Sequence, residues 1–201
     1  MAHLQVAAEA AREAAKIEQA NVNAEFGPWF DGMMRLVPVS VVMAGAALEA
    51  NANEVLQDIL DSQSLPLTRS RKKLLMELKE ERSGNALDKC RRLALLMDKE
   101  ADTGTETWYN AKLLQAFRNE FMHFRPSWDD DSIHSGKLVA QLKQNIPVVN
   151  SWRGAFLFPY GFMTYGCANW AVQTVLNFSS DFSKVLGAPN NLEAFNSDYG
   201  C

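Results

Sequence analysis

Residues 38–62 read PVSVVMAGAALEANANEVLQDILDS, and this stretch decides the fold class. Val41, Leu48, Ala52, Val55 and Ile59 recur at helical spacing, so one face of a long helix is apolar and must be covered. Pro38 suits the first turn of that helix, and Ser64-Leu65-Pro66 breaks the pattern after it. The short apolar piece Trp29–Leu36 precedes it. Gly27-Pro28 ends an Ala-rich segment from His3 to about Phe26, whose mixed charges three or four apart read as a largely exposed or partner-covered helix.

Downstream, helical patterns run from about Arg69 to Arg82 and from about Ala86 to Lys99, separated by Ser83-Gly84-Asn85. Thr105 or Thr107 can cap a helix that continues through Trp108, Leu113 and Phe117 to about Phe124, where Pro126 stops it. A modest amphipathic helix is expected over Ile133–Gln144, and a long, mostly buried one over Phe162–Leu186. Gly187-Ala188-Pro189-Asn190-Asn191 then begins a loose tail. No strand pattern, hairpin turn or fixed repeat interrupts the helices. The expected fold is all-α, an antiparallel helical bundle of four to five core helices plus peripheral ones. Residues 1–36 form an N-terminal helical extension, 37–187 the bundle and 188–201 the tail.

The 201 residues are 47% hydrophobic and 22% charged, which is globular composition and fits neither a disordered chain nor a disulfide scaffold. A net charge of -4 excludes a protein that coats nucleic acid non-specifically, so any such contact needs a local basic patch. Cys90, Cys167 and Cys201 have no metal-ligand spacing and suit a reducing cytoplasm. Glu9, Glu13 and Glu18 beside Arg12 and Lys16 come with no apolar h-region, so no signal peptide is expected. The longest apolar stretch, Met33–Leu48, holds Arg35 and Pro38 and is short for a bilayer. The expectation is a soluble cytoplasmic protein with no membrane partner. No Gly-rich phosphate loop, Ser/His/Asp pattern or zinc spacing occurs, so neither cofactor nor metal is expected.

One helix end carries concentrated chemistry: Arg118-Asn119-Glu120-Phe121-Met122-His123. At about 100° per residue, Leu114, Phe117, Phe121 and Phe124 fall within roughly 80° and form the core stripe. Asn119 and His123 lie one turn apart, roughly opposite that stripe, and Arg118 lies to its side with a stem long enough to swing toward them. A planar guanidinium, an orienting amide and an imidazole that exchanges protons near neutral pH have the composition of a phosphate site. A helix C-terminus also favours the protonated imidazole. The plainer alternative is an ordinary surface histidine or a C-cap.

Arg118, Asn119 and His123 match the signature of the HEPN (higher eukaryotes and prokaryotes nucleotide-binding) superfamily: Arg, often a polar residue directly after it, and His after four to six residues. The chain resembles that family over roughly Val39–Leu186, and Phe121-Met122-His123-Phe124-Arg125-Pro126 is similar to His-Phe-x-Pro sequences of bacterial members. So, more loosely, is Tyr165-Gly166-Cys167-Ala168-Asn169-Trp170-Ala171. The resemblance implies metal-independent RNA cleavage by the ribose 2'-hydroxyl, in a composite site at a homodimer interface. It implies catalytic roles for Arg118, Asn119 and His123 and support from Glu49, with Asn53 one turn later. It also implies a toxin or antiphage-defence effector, with an antitoxin or defence-system protein as partner. The alternative is a non-catalytic module of the same kind that binds nucleotide, RNA or protein. Members silenced by nucleotidylation carry Tyr two residues after the His; here Arg125 stands there, so that regulation is not implied, and Arg125 becomes a candidate RNA contact.

Substrate attraction has further candidates in Arg69, Arg71, Lys72, Lys73, Lys89, Arg91 and Arg92, against the alternative of solvated helix faces. Asp129, Asp130, Asp131 and His134 read as a turn and helix cap rather than a cation site.

Overall fold

The structure is a computed structural model describing residues 2–62, 67–81, 85–122, 133–148 and 158–195. Seven α-helices follow one another among the described residues: α1 (Ala2–Ala20), α2 (Trp29–Asp61), α3 (Arg69–Glu80), α4 (Ala86–Leu96), α5 (Glu106–Met122), α6 (Ile133–Asn145) and α7 (Tyr165–Leu186). A single 3-10 turn, Tyr160–Phe162, precedes α7, and the described residues contain no strand. The protein is an all-α helical bundle. Its chain forms two compact units: one of residues 2–46 and 112–174, the other of 47–111 and 175–201. Helices α2, α5 and α7 contribute residues to both.

In the unit of residues 2–46 and 112–174, α1 is largely exposed on its polar side, as its composition suggests, but its other side is buried within the protein. Leu4, Ala7, Ala11 and Ala14 form a buried stripe, because alanines let helix backbones approach closely. The buried Ser40 hydroxyl marks that approach, lying 3.0 Å from the Ala7 carbonyl and 3.2 Å from that of Ala168. A Cβ on Gly32 would fall 2.7 Å from Ile17 Cδ1.

The start of α2 also departs from expectation. Pro38 lies inside the helix rather than at its first turn, and α2 crosses the 36/37 boundary drawn from the sequence. An internal proline forfeits one hydrogen bond and crowds the preceding turn, at about 3 kcal/mol. Phe30, Met33, Val37, Val41 and Ala44 form an unbroken buried stripe on either side of it, and their burial outweighs that cost. By length and composition α2 is apolar enough to cross a bilayer, but 44% of the window concerned is buried inside the protein.

The amino end of α7 is capped twice. Thr164 Oγ1 accepts from Cys167 N at 3.0 Å, and the Glu18 carboxylate of α1 accepts from Tyr165 N at 2.8 Å. Both satisfy N–H groups that a helix start leaves open, and the carboxylate suits the positive end of the dipole.

In the unit of residues 47–111 and 175–201, Leu48, Leu56, Leu75, Leu78, Leu93, Phe178 and Phe182 form the core, with Trp108 set edge-on to Phe178 at 5.1 Å. Helix α7 ends as the sequence suggests, at Gly187, whose φ of +67° closes a Schellman turn. Gly187 N donates to Lys184 O, and Ala188 N donates to Ser183 O. The residues that follow are not loose as far as Phe195. Leu192 and Phe195 are buried, Ser179 Oγ donates to Asn190 Oδ1 at 2.9 Å and receives Asn51 Nδ2, and Asn191 Nδ2 donates to Asp58. The polar composition of 188–195 conceals this, because two apolar residues and two amides suffice to dock it.

Cys167 and Cys90 are free and buried. Burial pushes the Cys167 thiol up, and it raises Cys90 to about 12 despite the opposing charge of Lys89.

Gly187→Ala forces a side chain into the left-handed region and is expected to cost about 1 kcal/mol, lowering Tm by roughly 2–4 °C in a chain of this size. Gly187→Asn is expected to cost less. Thermal unfolding by circular dichroism checks both, and equal Tm values for all three proteins would contradict the assignment of the turn.

Candidate functional site

The candidate site sits at the carboxyl end of α5. Thr105 caps this helix: Trp108 N lies 3.4 Å from its Oγ1, and Tyr109 N donates to its carbonyl at 3.0 Å. Glu106 supplies an acid to the first turn. With the start fixed, the register follows from burial. Trp108, Ala111, Leu114 and Phe117 are buried, and Phe121 packs on Phe117 with ring centroids 4.8 Å apart. Phe158 and Phe162 extend the cluster around Phe117 at 6.2 and 5.4 Å. Arg118 is thereby turned to the flank of the stripe, half-buried, and Asn119 to the exposed side, as the helical wheel predicts.

Arg118 and Asn119 meet directly. Arg118 Nη1 donates to Asn119 Oδ1 at 3.2 Å. With Oδ1 committed to the guanidinium, the amide retains its Nδ2 donors for a further acceptor. The pair thus offers guanidinium and amide N–H groups side by side, a donor set suited to an oxyanion.

Sequence reasoning missed what fixes this arginine. Its aliphatic stem lies across α2 at Gly45: a Cβ there would stand 3.0 Å from Arg118 Cγ, 3.3 Å from its Cβ and 3.6 Å from its Cδ. The absent side chain gives the stem a channel, so the side chain is positioned before any ligand arrives. The signal was present in the sequence, since a glycine amid Met43, Ala44, Ala46 and Ala47 costs up to about 1 kcal/mol relative to alanine and needs a packing reason.

The other expected residues fall out differently. Glu49 is exposed on α2, in the unit of residues 47–111 and 175–201. Asn53 belongs to the same unit, where its Oδ1 accepts from Lys89 Nζ at 2.8 Å. That contact serves α2–α4 packing. His123 and Arg125 lie outside the described residues, as do Asp129, Asp130 and Asp131; of the His134 side chain nothing is described either. The described residues contain no group of three His, Cys, Asp or Glu able to hold a metal ion.

The basic candidates divide. Lys89 is only 9% exposed and is held by Asn53, so it offers little to a ligand. Arg91 pairs with Asp88, Arg92 with Glu81 and Arg71 with Asp98. Arg69, Lys72 and Lys73 remain exposed along α3.

Alanine in place of a helical glycine ordinarily stabilises, and Gly136 in α6 has open space where a Cβ would go. Gly136→Ala is expected to gain up to about 1 kcal/mol, whereas Gly45→Ala gains nothing because its methyl displaces the Arg118 stem. Chemical denaturation of both variants, with the Arg118 Nε–H resonance followed by NMR, checks this. Equal stabilisation and an unmoved resonance would contradict the packing.

Compared with known protein families, with curated proteins and with solved structures, the chain finds no match, and what identifies its chemistry is its own residues.

Proposed function

We propose that the protein is a metal-independent endoribonuclease of the HEPN type, acting as a homodimer in the cytoplasm as a toxin or antiphage-defence effector. The observation that carries this reading is the paired, pre-positioned Arg118 and Asn119 at the end of α5, with His123 four residues after the amide in the sequence.

The chemistry follows from the residue types. The ribose 2'-hydroxyl gives its proton to one imidazole and its oxygen bonds to the adjacent phosphorus. The bond from phosphorus to the 5'-oxygen breaks, that oxygen takes a proton from a second imidazole, and a 2',3'-cyclic phosphate and a 5'-hydroxyl result. Arg118 offsets the charge that gathers on the non-bridging oxygens, and Asn119 orients the phosphate or the imidazole. One chain supplies one histidine of this motif, so acid and base together call for two chains related by a two-fold axis. Arg125 adds a phosphate contact. A partner protein, an antitoxin or defence component, holds the enzyme silent.

A second reading, a module that binds RNA, nucleotide or protein without cutting, is favoured by the net charge of -4 and by the ion pairs that consume Arg71, Arg91 and Arg92. Incubating purified protein with RNA in EDTA separates the two. The nuclease reading expects cleavage to cyclic-phosphate ends by the wild type and a loss of at least about 100-fold in His123→Ala, the low end of what a general acid or base contributes. Equal cleavage by both proteins, or by neither, would contradict it.

A further inference from the structure

The flank of α5 that carries Arg118 and Asn119 holds one more polar group, one turn earlier. Gln115 is half-buried, and its Oε1 is fully buried with no hydrogen-bond partner among the described residues. An amide oxygen shut away from both water and donors is unfavourable, and such groups are rare enough in folded proteins to need a reason. At about 100° per residue Gln115 falls between Arg118 and Asn119 on the wheel, three residues before the one and four before the other.

Helix geometry limits which donor can reach that oxygen. Side chains on a helix lean toward its amino end, so each covers the turn before it. Lys112, three residues before Gln115, therefore leans away from it and is exposed. Asn119 leans toward Gln115, but it is short and lies on the exposed side. Arg118 leans the same way, and its stem is held inward against Gly45 with Nε itself buried. A guanidinium carries five N–H groups, so it can meet acceptors on more than one edge. In the free protein its Nη1 turns to Asn119 Oδ1 at 3.2 Å, a long contact for a charged donor.

We propose that Gln115 is a positioning residue for Arg118: as the outer N–H groups of the guanidinium take an oxyanion, Gln115 Oε1 accepts an N–H on the stem side and fixes the plane of the fork. The proposal rests on the reading of Arg118 and Asn119 as the phosphate-recognising pair. Gln115 touches neither substrate nor reacting bond and acts through Arg118 alone. Because the bond is absent in the free protein, its favourable energy is expressed only with the oxyanion in place. It is strongest where negative charge on the phosphate is greatest, which is the condition for an interaction to raise kcat rather than lower KM.

The test compares full-length wild type with Gln115→Met, which keeps the length and removes the acceptor, and Gln115→Glu, which keeps an acceptor. Three quantities are measured: Tm, hydrogen exchange of the Arg118 Nε–H by NMR with and without inorganic phosphate, and kcat and KM on an unstructured oligouridine. In the wild type, phosphate is expected to slow that exchange. In Gln115→Met the slowing is lost, kcat falls by about 10-fold or more and KM stays within about two-fold, while Tm equals or exceeds that of the parent because no bond of the free protein is removed. Gln115→Glu retains the slowed exchange. A lowered Tm in Gln115→Met would overturn the proposal, since Oε1 would then be bonded in the free protein. So would exchange that phosphate leaves unchanged in the wild type, or a Gln115→Met protein with parental exchange and kcat, which would make Oε1 an idle or water-bound acceptor. Loss of the slowed exchange in Gln115→Glu would overturn it too. If the wild type cleaves no RNA while phosphate slows the exchange only where the acceptor is kept, the nuclease reading fails and the role of Gln115 stands. If the wild type cleaves RNA and Gln115→Met matches it, the role of Gln115 fails alone.

Discussion

The proposed active site depends on one steric arrangement: the stem of Arg118 lying across the backbone of α2 at Gly45. A guanidinium on a free stem would spend rotamer entropy each time it met a phosphate. Here packing has already removed much of that freedom, and the hydrogen bond to Asn119 limits the head group as well. The core stripe of α5 turns these two residues to the flank and outer side of the helix, so the site's geometry follows from burial of Leu114 and Phe117. A core determinant and a functional determinant thus share one helix, one turn apart or less.

The charged residues show a division of labour that composition conceals. A chain of net charge -4 would not be expected to attract RNA, and on α3 and α4 Arg71, Lys73, Arg91 and Arg92 are indeed answered by neighbouring acids. Such exposed pairs contribute little to stability individually. Arg69, Lys72, Lys79 and Lys99 are exposed in the same unit with no acid within 4 Å among the described residues, so its unanswered positive charge is spread along it.

Much of the fold was legible in the sequence because helical periodicity survives without tertiary information: the stripe through Val41 and Ile59 and the stop at Gly187 needed only local rules. Where local rules conflicted with packing, packing prevailed. Pro38 marked a helix start by its own chemistry, but the apolar stripe on both sides carried α2 through it. The alanines of α1 read as a surface because alanine contributes little hydrophobic area, whereas its small size is what the close approach at Ser40 requires. At the site, the neighbours Arg118 and Asn119 were legible because adjacency in sequence and the wheel suffice. Gly45 was not, since its partner lies 73 positions away in sequence and no periodicity reports such a contact. Lys89 was misread for the same reason: only the fold shows that it is buried against Asn53.

The account's central claim is that the planar guanidinium of Arg118, held in place by its stem, recognises the phosphate at the reacting bond. Lysine keeps the charge and the helix propensity but lacks the fork of donors. Measuring RNA cleavage rate and folding stability for Arg118→Lys tests the claim most directly. The account predicts a stability within about 1 kcal/mol of the parent and a cleavage rate lower by about 10-fold or more, less than the roughly 100-fold lost with a whole charge-stabilising donor because lysine keeps the charge. Cleavage at the parental rate by a stable Arg118→Lys protein would contradict it.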